Sequence, residues 1–469
     1  MRTSSKEGGP CDVLFVVPWA QALLFNNVLP LYETLKTRAP HIVVKALHAE
    51  RYAGGGRSSP IFRSIGGLEC YDISYFKQPH NLRSVLGVLQ PRIVVTLDQS
   101  FLFGRALIKA CRGLGIRTVF LQHGVISFAD RKASSELRLR AQVSRLRRYA
   151  LHFGPMYFRT ATSEDPWFFL RPSFLKFVVG SFFRNYGFVP PKASEEARAD
   201  LALVYGEAHS QKLQEVAGYR PGQVFVVGCV DSDELLEIAV DEAKGLGRER
   251  WFAERALDPA RPTLTYLSQP LVEDRAVSKR WFEGFLGDLV GVTFSRRLNL
   301  VIKIHPRNSA DVLGMLSGVP GVCVEKGRLA SCIYYSDFVL GHTSTALSLA
   351  VAARKPILVW PYAPHGEFEK QLVAPFLEVG EMVASREELE RALQELESSD
   401  WRADDALYES WLRRFYFFDP ARRARDRMAD ILLSMDDVLP DVSVGMWASH
   451  VIGQEGRNGG DEHRKPLQT

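Results

Sequence analysis

Apolar runs of strand length recur along this chain, each followed by a stretch with helical spacing, and that alternation predicts a parallel α/β architecture. Asp12 to Pro18, His41 to Leu47, Arg92 to Leu97 and Arg117 to Gln122 read as buried strands. Ala20 to Arg38 and Phe103 to Leu114 read as the helices between them, with a loop at Gly54 to Gly56. Beyond Pro190-Pro191 the pattern resumes with strands Leu201 to Tyr205 and Gln223 to Val227 around a helix from Ala208 to Ala217.

A charged helix over Asp233 to Glu254 then precedes a second series. Strands are expected at Thr263 to Leu267, Leu298 to Ile302, Val322 to Val324, Phe338 to Leu340 and Lys355 to Trp360. Helices are expected at Val277 to Leu289, Ala310 to Leu316 and Ala346 to Ala353, with amphipathic helices over 386–397 and 419–435. Two Rossmann-like, doubly wound domains facing across a cleft follow: 1–228 and 229–440, with 441–469 as a tail, largely disordered over its polar end.

Composition sharpens this. A chain of 469 residues is too long for one ordinary core and suits two domains of roughly 200 residues each. Its hydrophobic content of 46% and charge of 24% belong to a soluble globular protein. Six scattered cysteines without a Cys-x-x-Cys pair read as buried thiols in a reducing compartment, not as a zinc site. Neither a signal peptide nor a spanning apolar stretch is evident, so the expected location is the cytoplasm.

The net charge of +5 is unevenly spread. Residues 131–194 hold twelve basic side chains against three acidic ones, together with Trp167, Phe168, Phe169, Phe174 and further aromatics. Such a mixture suits an anionic membrane surface, with aromatics at headgroup level and Arg or Lys on lipid phosphates. An ordinary helical insertion, its aromatics in the core and its arginines solvated, reads equally well. Nucleic acid is not expected as a partner.

Chemistry gathers at strand ends, where ligands of open parallel sheets bind. In the first domain His123, in Gln122-His123-Gly124, could take a proton from an attacking hydroxyl, with Asp98 orienting it, serving as the base itself, or merely capping a helix. In the second, Ser268-Gln269-Pro270, Lys303-Ile304-His305-Pro306-Arg307 and Gly341-His342-Thr343-Ser344-Thr345 each follow a strand. Pro306 stops its strand and fixes the turn; Lys303 adds positive charge for a leaving nucleotide. The hydroxyls of Thr343, Ser344 and Thr345, with free backbone N–H groups, suit a phosphate. Glu325 is a candidate nucleoside contact.

In this order the motifs resemble GT-B glycosyltransferases of bacterial surface and capsular polysaccharide biosynthesis, over roughly 95–130 and 200–365. The motifs are similar to those of bacterial sialyl- and polysialyltransferases first, and also to capsule Kdo transferases and CDP-glycerol glycerophosphotransferases. The resemblance implies a GT-B fold and donor binding by His305, Pro306, Ser344 and Thr345. It implies an inverting transfer without metal or cofactor, from a nucleotide-activated donor, CMP-linked above all, to a polysaccharide or lipid-linked acceptor. The glycerophosphotransferase comparison makes His123 the base; the acidic-pair-then-glycine motif of polysialyltransferases is missing. A non-hydrolysing UDP-N-acetylglucosamine 2-epimerase and a non-catalytic assembly scaffold are the alternatives.

Overall fold

The computed structural model describes residues 9–17, 27–52, 60–99, 102–124, 153–164, 167, 198–245, 247–274, 276–305, 308, 316, 318–362, 372–398 and 401–435. Two α/β domains, each built on a mainly parallel sheet, are formed by them.

The first sheet has eight strands, in the order β3-β4-β2-β1-β5-β6-β7-β8. These are β1 (Val13–Val17), β2 (Val44–His48), β3 (Phe62–Ile65), β4 (Leu68–Asp72), β5 (Ile93–Thr96), β6 (Arg117–Leu121), β7 (Leu201–Val204) and β8 (Val224–Val226). All run parallel except β3, which folds back on β4 as an edge strand. The run VLFVV of β1 is apolar throughout because both its faces are covered. Val13, Phe15 and Val17 enter one core while Leu14 and Val16 enter the other. Helices α1 (Leu29–Arg38), α2 (Leu82–Leu89), α3 (Leu102–Gly113), α4 (Gly154–Glu164) and α5 (Glu207–Ala217) cover the sheet. The expected strand at 41–47 starts at Val44, and the hairpin β3-β4 and helix α2 were not foreseen.

Of the basic segment 131–194, only 153–164 and Trp167 lie among the described residues. Helix α4 packs on α3, and Phe153, Met156, Tyr157 and Ala161 are buried in the core there. Trp167 is 68% exposed. The described part of the segment therefore contributes both core and surface, and the expected membrane contact of the rest falls outside the described residues.

The expected charged helix over 233–254 is two helices, α6 (Asp233–Glu242) and α7 (Arg248–Ala253), interrupted where Gly245 turns left-handed. The second sheet has six parallel strands in the order β11-β10-β9-β12-β13-β14. They are β9 (Thr263–Leu267), β10 (Asn299–Lys303), β11 (Val322–Glu325), β12 (Phe338–Gly341), β13 (Ile357–Val359) and β14 (Glu381–Met382). Around it stand α8 (Lys279–Ser295), α9 (Leu329–Tyr334), α10 (Leu347–Ala352), α11 (Arg386–Ser398) and α12 (Asp405–Phe415). The expected helix at 310–316 falls almost wholly outside the described residues.

The last helix, α13 (Ala424–Ser434), returns to the first domain. Ala424, Met428, Ala429, Ile431 and Leu432 enter the same core as Val13, Phe15 and Leu31. Its first N–H groups, Ala424 and Arg425, donate to the Asp233 carboxylate at 2.6 and 2.9 Å. Arg427 donates twice to the Val227 carbonyl, at 3.0 and 2.8 Å. The chain thus crosses between the domains twice, at 227–233 and at 416–423, and a shared core of Tyr205, Cys229, Val339, Leu347, Trp411 and Tyr416 closes the seam. Among the described residues, no helix is long and apolar enough to cross a membrane.

Candidate functional site

Each sheet starts at an inner strand, grows to one side, then returns and grows to the other, so each has one point where the strand order reverses. Those points lie between β1 and β5 and between β9 and β12, and the crevice beyond the strands' carboxyl ends there is the place where such sheets bind ligands.

Asp98 follows β5 at the first of these points and is buried. Its Oδ2 accepts the Gly104 N–H at 3.2 Å in the opening turn of α3. The capping role and the proximity to His123 coexist, since the Asp98 charge acts on that imidazole. Burial pushes the His123 pKa below its ordinary 6.5; the Asp98 charge and a hydrogen bond to the Leu97 carbonyl oppose this without cancelling it. Nδ1 of His123 is buried and has no hydrogen-bond partner among the described residues. The ring is held neutral, with an acceptor nitrogen to spare.

The turn carrying His123 is clamped from both sides. Buried Gln122 accepts the Tyr205 N–H at 2.8 Å and donates to the Gly124 carbonyl at 2.8 Å. Gly124 in turn donates its N–H to the Tyr205 hydroxyl at 3.3 Å. With φ at +71°, Gly124 occupies a left-handed conformation that a side chain would strain. Tyr205, which sequence reasoning missed, ends a strand like the motifs it supports.

In the second domain a side chain that no motif announced is the organiser. Asn308 Oδ1 accepts the His305 N–H at 2.9 Å and the Ser268 hydroxyl at 3.2 Å, while Nδ2 donates to the Gln269 carbonyl at 3.1 Å. Gln269 Oε1 then accepts the Thr343 N–H at 3.2 Å. Ser268, Gln269, His305 and Thr343 are thereby joined across the ends of β9, β10 and β12. Next to them, the Ser344 hydroxyl accepts the Ala346 N–H at 3.2 Å.

Free backbone N–H groups, expected from the sequence, are scarcer than foreseen. Those of Thr343, Ala346, Leu347 and Ser348 are all engaged locally, and α10 has only six residues. The half-buried hydroxyls of Thr343, Ser344 and Thr345 remain as the turn's polar offering.

His342 underpins that turn and is fully buried. Its Nδ1 faces the Trp360 carbonyl at 2.5 Å and must carry the proton, since a carbonyl only accepts. Nε2 therefore accepts from the Tyr266 hydroxyl at 2.8 Å.

Lys303 and Glu325, paired in register on β10 and β11, have other surroundings. Lys303 donates to the Ile304 carbonyl at 3.0 Å, and burial lowers its pKa against the pull of Cys332 and Glu325. Glu325 pairs with Arg255 at 2.6 Å and takes the Gly327 N–H. Pro306 lies outside the described residues.

Two parallel-sheet domains, each with one such reversal point, have the GT-B fold. No protein-family model matches the chain, and no curated protein matches it in sequence. Solved structures are similar. A variant of the wall teichoic acid polymerase TagF is 10% identical, with a TM-score of 0.57 over 95% of this chain and 91% of that one. The UDP-GlcNAc 2-epimerase from Methanocaldococcus jannaschii is 12% identical, with a TM-score of 0.50 over 90% of this chain and 99% of that one. At such identities the likeness is one of fold.

Proposed function

We propose that the chain is a glycosyltransferase. It moves a sugar, or a polyol phosphate, from a nucleotide-activated donor to a hydroxyl of a cell-surface polysaccharide or lipid-linked acceptor. The observation that carries this reading is the state of His123: neutral through burial, without a partner at Nδ1 among the described residues, and under the charge of Asp98 at the carboxyl edge of the first sheet. A neutral imidazole with an unprotonated nitrogen takes protons from attacking hydroxyls.

In this reading the acceptor oxygen gives its proton to His123 and bonds to the donor carbon, or to phosphorus where a polyol phosphate moves, on the side opposite the nucleotide. The bond to the nucleotide phosphate breaks, and that phosphate leaves with the electron pair. His305, Ser268, Gln269, Thr343, Ser344 and Thr345 hold the departing group, Pro306 fixes the turn, Lys303 contributes charge and Glu325 meets the nucleoside. The basic segment 131–194 keeps the enzyme against an anionic membrane near a lipid-linked acceptor. The fold it shares with TagF and with a UDP-GlcNAc 2-epimerase is compatible with a nucleotide-linked donor.

A thermal-shift panel of CMP, CDP, UDP and GDP tests this: at least one, CMP first among them, raises the melting temperature at millimolar concentration. If none does, the reading fails. Conversion of UDP-N-acetylglucosamine to its manno epimer without any acceptor would replace it with an epimerase.

A further inference from the structure

Both links between the domains meet at one side chain, and that side chain also holds the turn of His123. Tyr205, buried directly after β7, donates its N–H to Gln122 Oε1 at 2.8 Å and accepts the Gly124 N–H on its hydroxyl at 3.3 Å. The residues on either side of His123 are therefore tied to it. Its carbonyl accepts the Phe417 N–H at 2.7 Å, and its ring meets that of Tyr416 edge-on with centroids 5.6 Å apart. Tyr416 and Phe417 belong to the second crossing between the domains. Cys229, in the first crossing, is within hydrogen-bonding reach of both tyrosine hydroxyls.

The second crossing is an extension of the second domain. It continues α12, whose Tyr408 hydroxyl donates to the Val379 carbonyl at 3.1 Å and whose Trp411 indole N–H donates to the Pro375 carbonyl, on the approach to β14. The end of α12 then rests on the first domain backbone to backbone: a Cβ on Gly206 would stand 2.5 Å from the Arg414 carbonyl oxygen and 2.7 Å from the Phe415 carbonyl carbon. Contacts this close leave no slack, so a shift of α12 is felt at Tyr205.

We propose that Tyr205 is a positioning residue for His123, and that through it the pose of the second domain sets the alignment of the base. This rests on the reading of His123 as the base. With the crossing seated on β7, the two bonds from Tyr205 keep Gly124 in its left-handed turn and the imidazole enclosed. With the crossing lifted, both bonds weaken together and the ring moves toward water. Proton abstraction is thereby tied to a docked second domain, the one whose loops are to hold the donor.

NMR of histidine-labelled, full-length protein tests this by following the titration of His123, whose signal is the one lost in His123→Asn; neither nucleotide nor turnover is needed. In wild type it titrates below 6.5, because burial lowers it. Tyr205→Phe keeps the ring on Tyr416 and deletes the acceptor of the Gly124 N–H. Gly206→Ala keeps Tyr205 and wedges α12 away from β7; should it fail to fold, Tyr416→Leu, which takes a ring off Tyr205 without a clash, replaces it. Asp98, whose charge acts on His123, is untouched throughout. Both changes are expected to raise the titration by about half a pH unit or more, toward its ordinary value, as the ring gains water. With a donor that turns over, kcat falls about tenfold and KM stays nearly unchanged. A packing role alone lowers the melting temperature and moves neither the titration nor kcat, and that result in Tyr205→Phe overturns the assignment. Movement in Tyr205→Phe with none in the seam variant overturns the link to the second domain. An unchanged kcat in His123→Asn, with the titration moved in both variants, overturns the reading of His123 as the base and leaves the physical link standing, so the two failures are told apart.

Discussion

The side-chain amide of Gln269 accepts the backbone N–H of Thr343 at 3.2 Å and so ties the end of β9 to the end of β12 across the point where the second sheet reverses. The amide spans the very crevice in which a donor phosphate is proposed to sit, and Asn308 holds it from behind through the Gln269 carbonyl at 3.1 Å. Gln269→Ala leaves a half-buried N–H without its acceptor, so denaturant melts are expected to show a loss of about 1–2 kcal/mol. Nucleotide affinity falls further than that, because the Thr343-Ser344 turn loses its anchor. A variant that binds nucleotide as wild type does would separate the turn from the site.

His123→Asn removes the proposed base while keeping a small polar side chain. The expected result is a fall in kcat of about 10²–10⁴ with little change in KM. In wild type the rate declines as pH drops through the His123 pKa, which burial places below 6.5, because protonation fills Nδ1. An acid limb above 6.5, or one that survives in the variant, would assign it to another group.

The Asp98 charge raises the His123 pKa against the effect of burial. Asp98→Asn retains an oxygen for the Gly104 N–H and deletes the charge, so the acid limb moves to lower pH while melting changes little. Asp98→Ala also removes the α3 cap and lowers stability by about 1 kcal/mol. Should the limb stay in place in Asp98→Asn, the coupling between the two side chains is not electrostatic.

The strand–helix alternation was legible because parallel strands covered on both faces carry continuous apolar runs, as VLFVV and the LVI of NLVIK do. The β3-β4 hairpin was not read, although its signal was present: Gly66-Gly67, both at positive φ, form a two-residue turn between IFRSI and LECYD. An edge strand alternating exposed and half-buried residues lacks the continuous apolar run that marks the others. In the site, strand-end residues could be picked out because topology puts chemistry there. Asn308 and Tyr205 could not, since what they do depends on neighbours 40 and 81 residues away.

Asp231, in the turn Val230–Ser232 between the domains, carries a stability consequence. With a folded pKa of about 7 against an ordinary 3.8, its charged form is disfavoured in the native state. The resulting penalty is absent below the ordinary value, grows as pH rises between the two, and is complete above 7. Asp231→Asn is therefore expected to be more stable than wild type at about pH 8, by roughly 1–3 kcal/mol after allowance for partial exposure, and equal to it at about pH 4. Equal melting at both pH values would mean that the carboxyl is better solvated than its surroundings indicate.

The return of α13 to the first domain depends on two contacts that sit side by side: the Asp233 carboxylate on the N–H groups of Ala424 and Arg425, and the Arg427 guanidinium on the Val227 carbonyl. Arg427→Met strips that carbonyl of both donors and is expected to cost about 1–3 kcal/mol. Asp233→Ala removes the cap at about 0.5–2 kcal/mol. Both substitutions free the same end of one helix, so a helix that docks as a unit loses less in the double variant than the two losses together. A coupling of more than about 0.5 kcal/mol in a double-mutant cycle is the expected result, and additivity within that margin would mean that the contacts hold independently. Nucleotide binding should survive either single change, because the loops gathered by Asn308 and Gln269 lie on the other sheet.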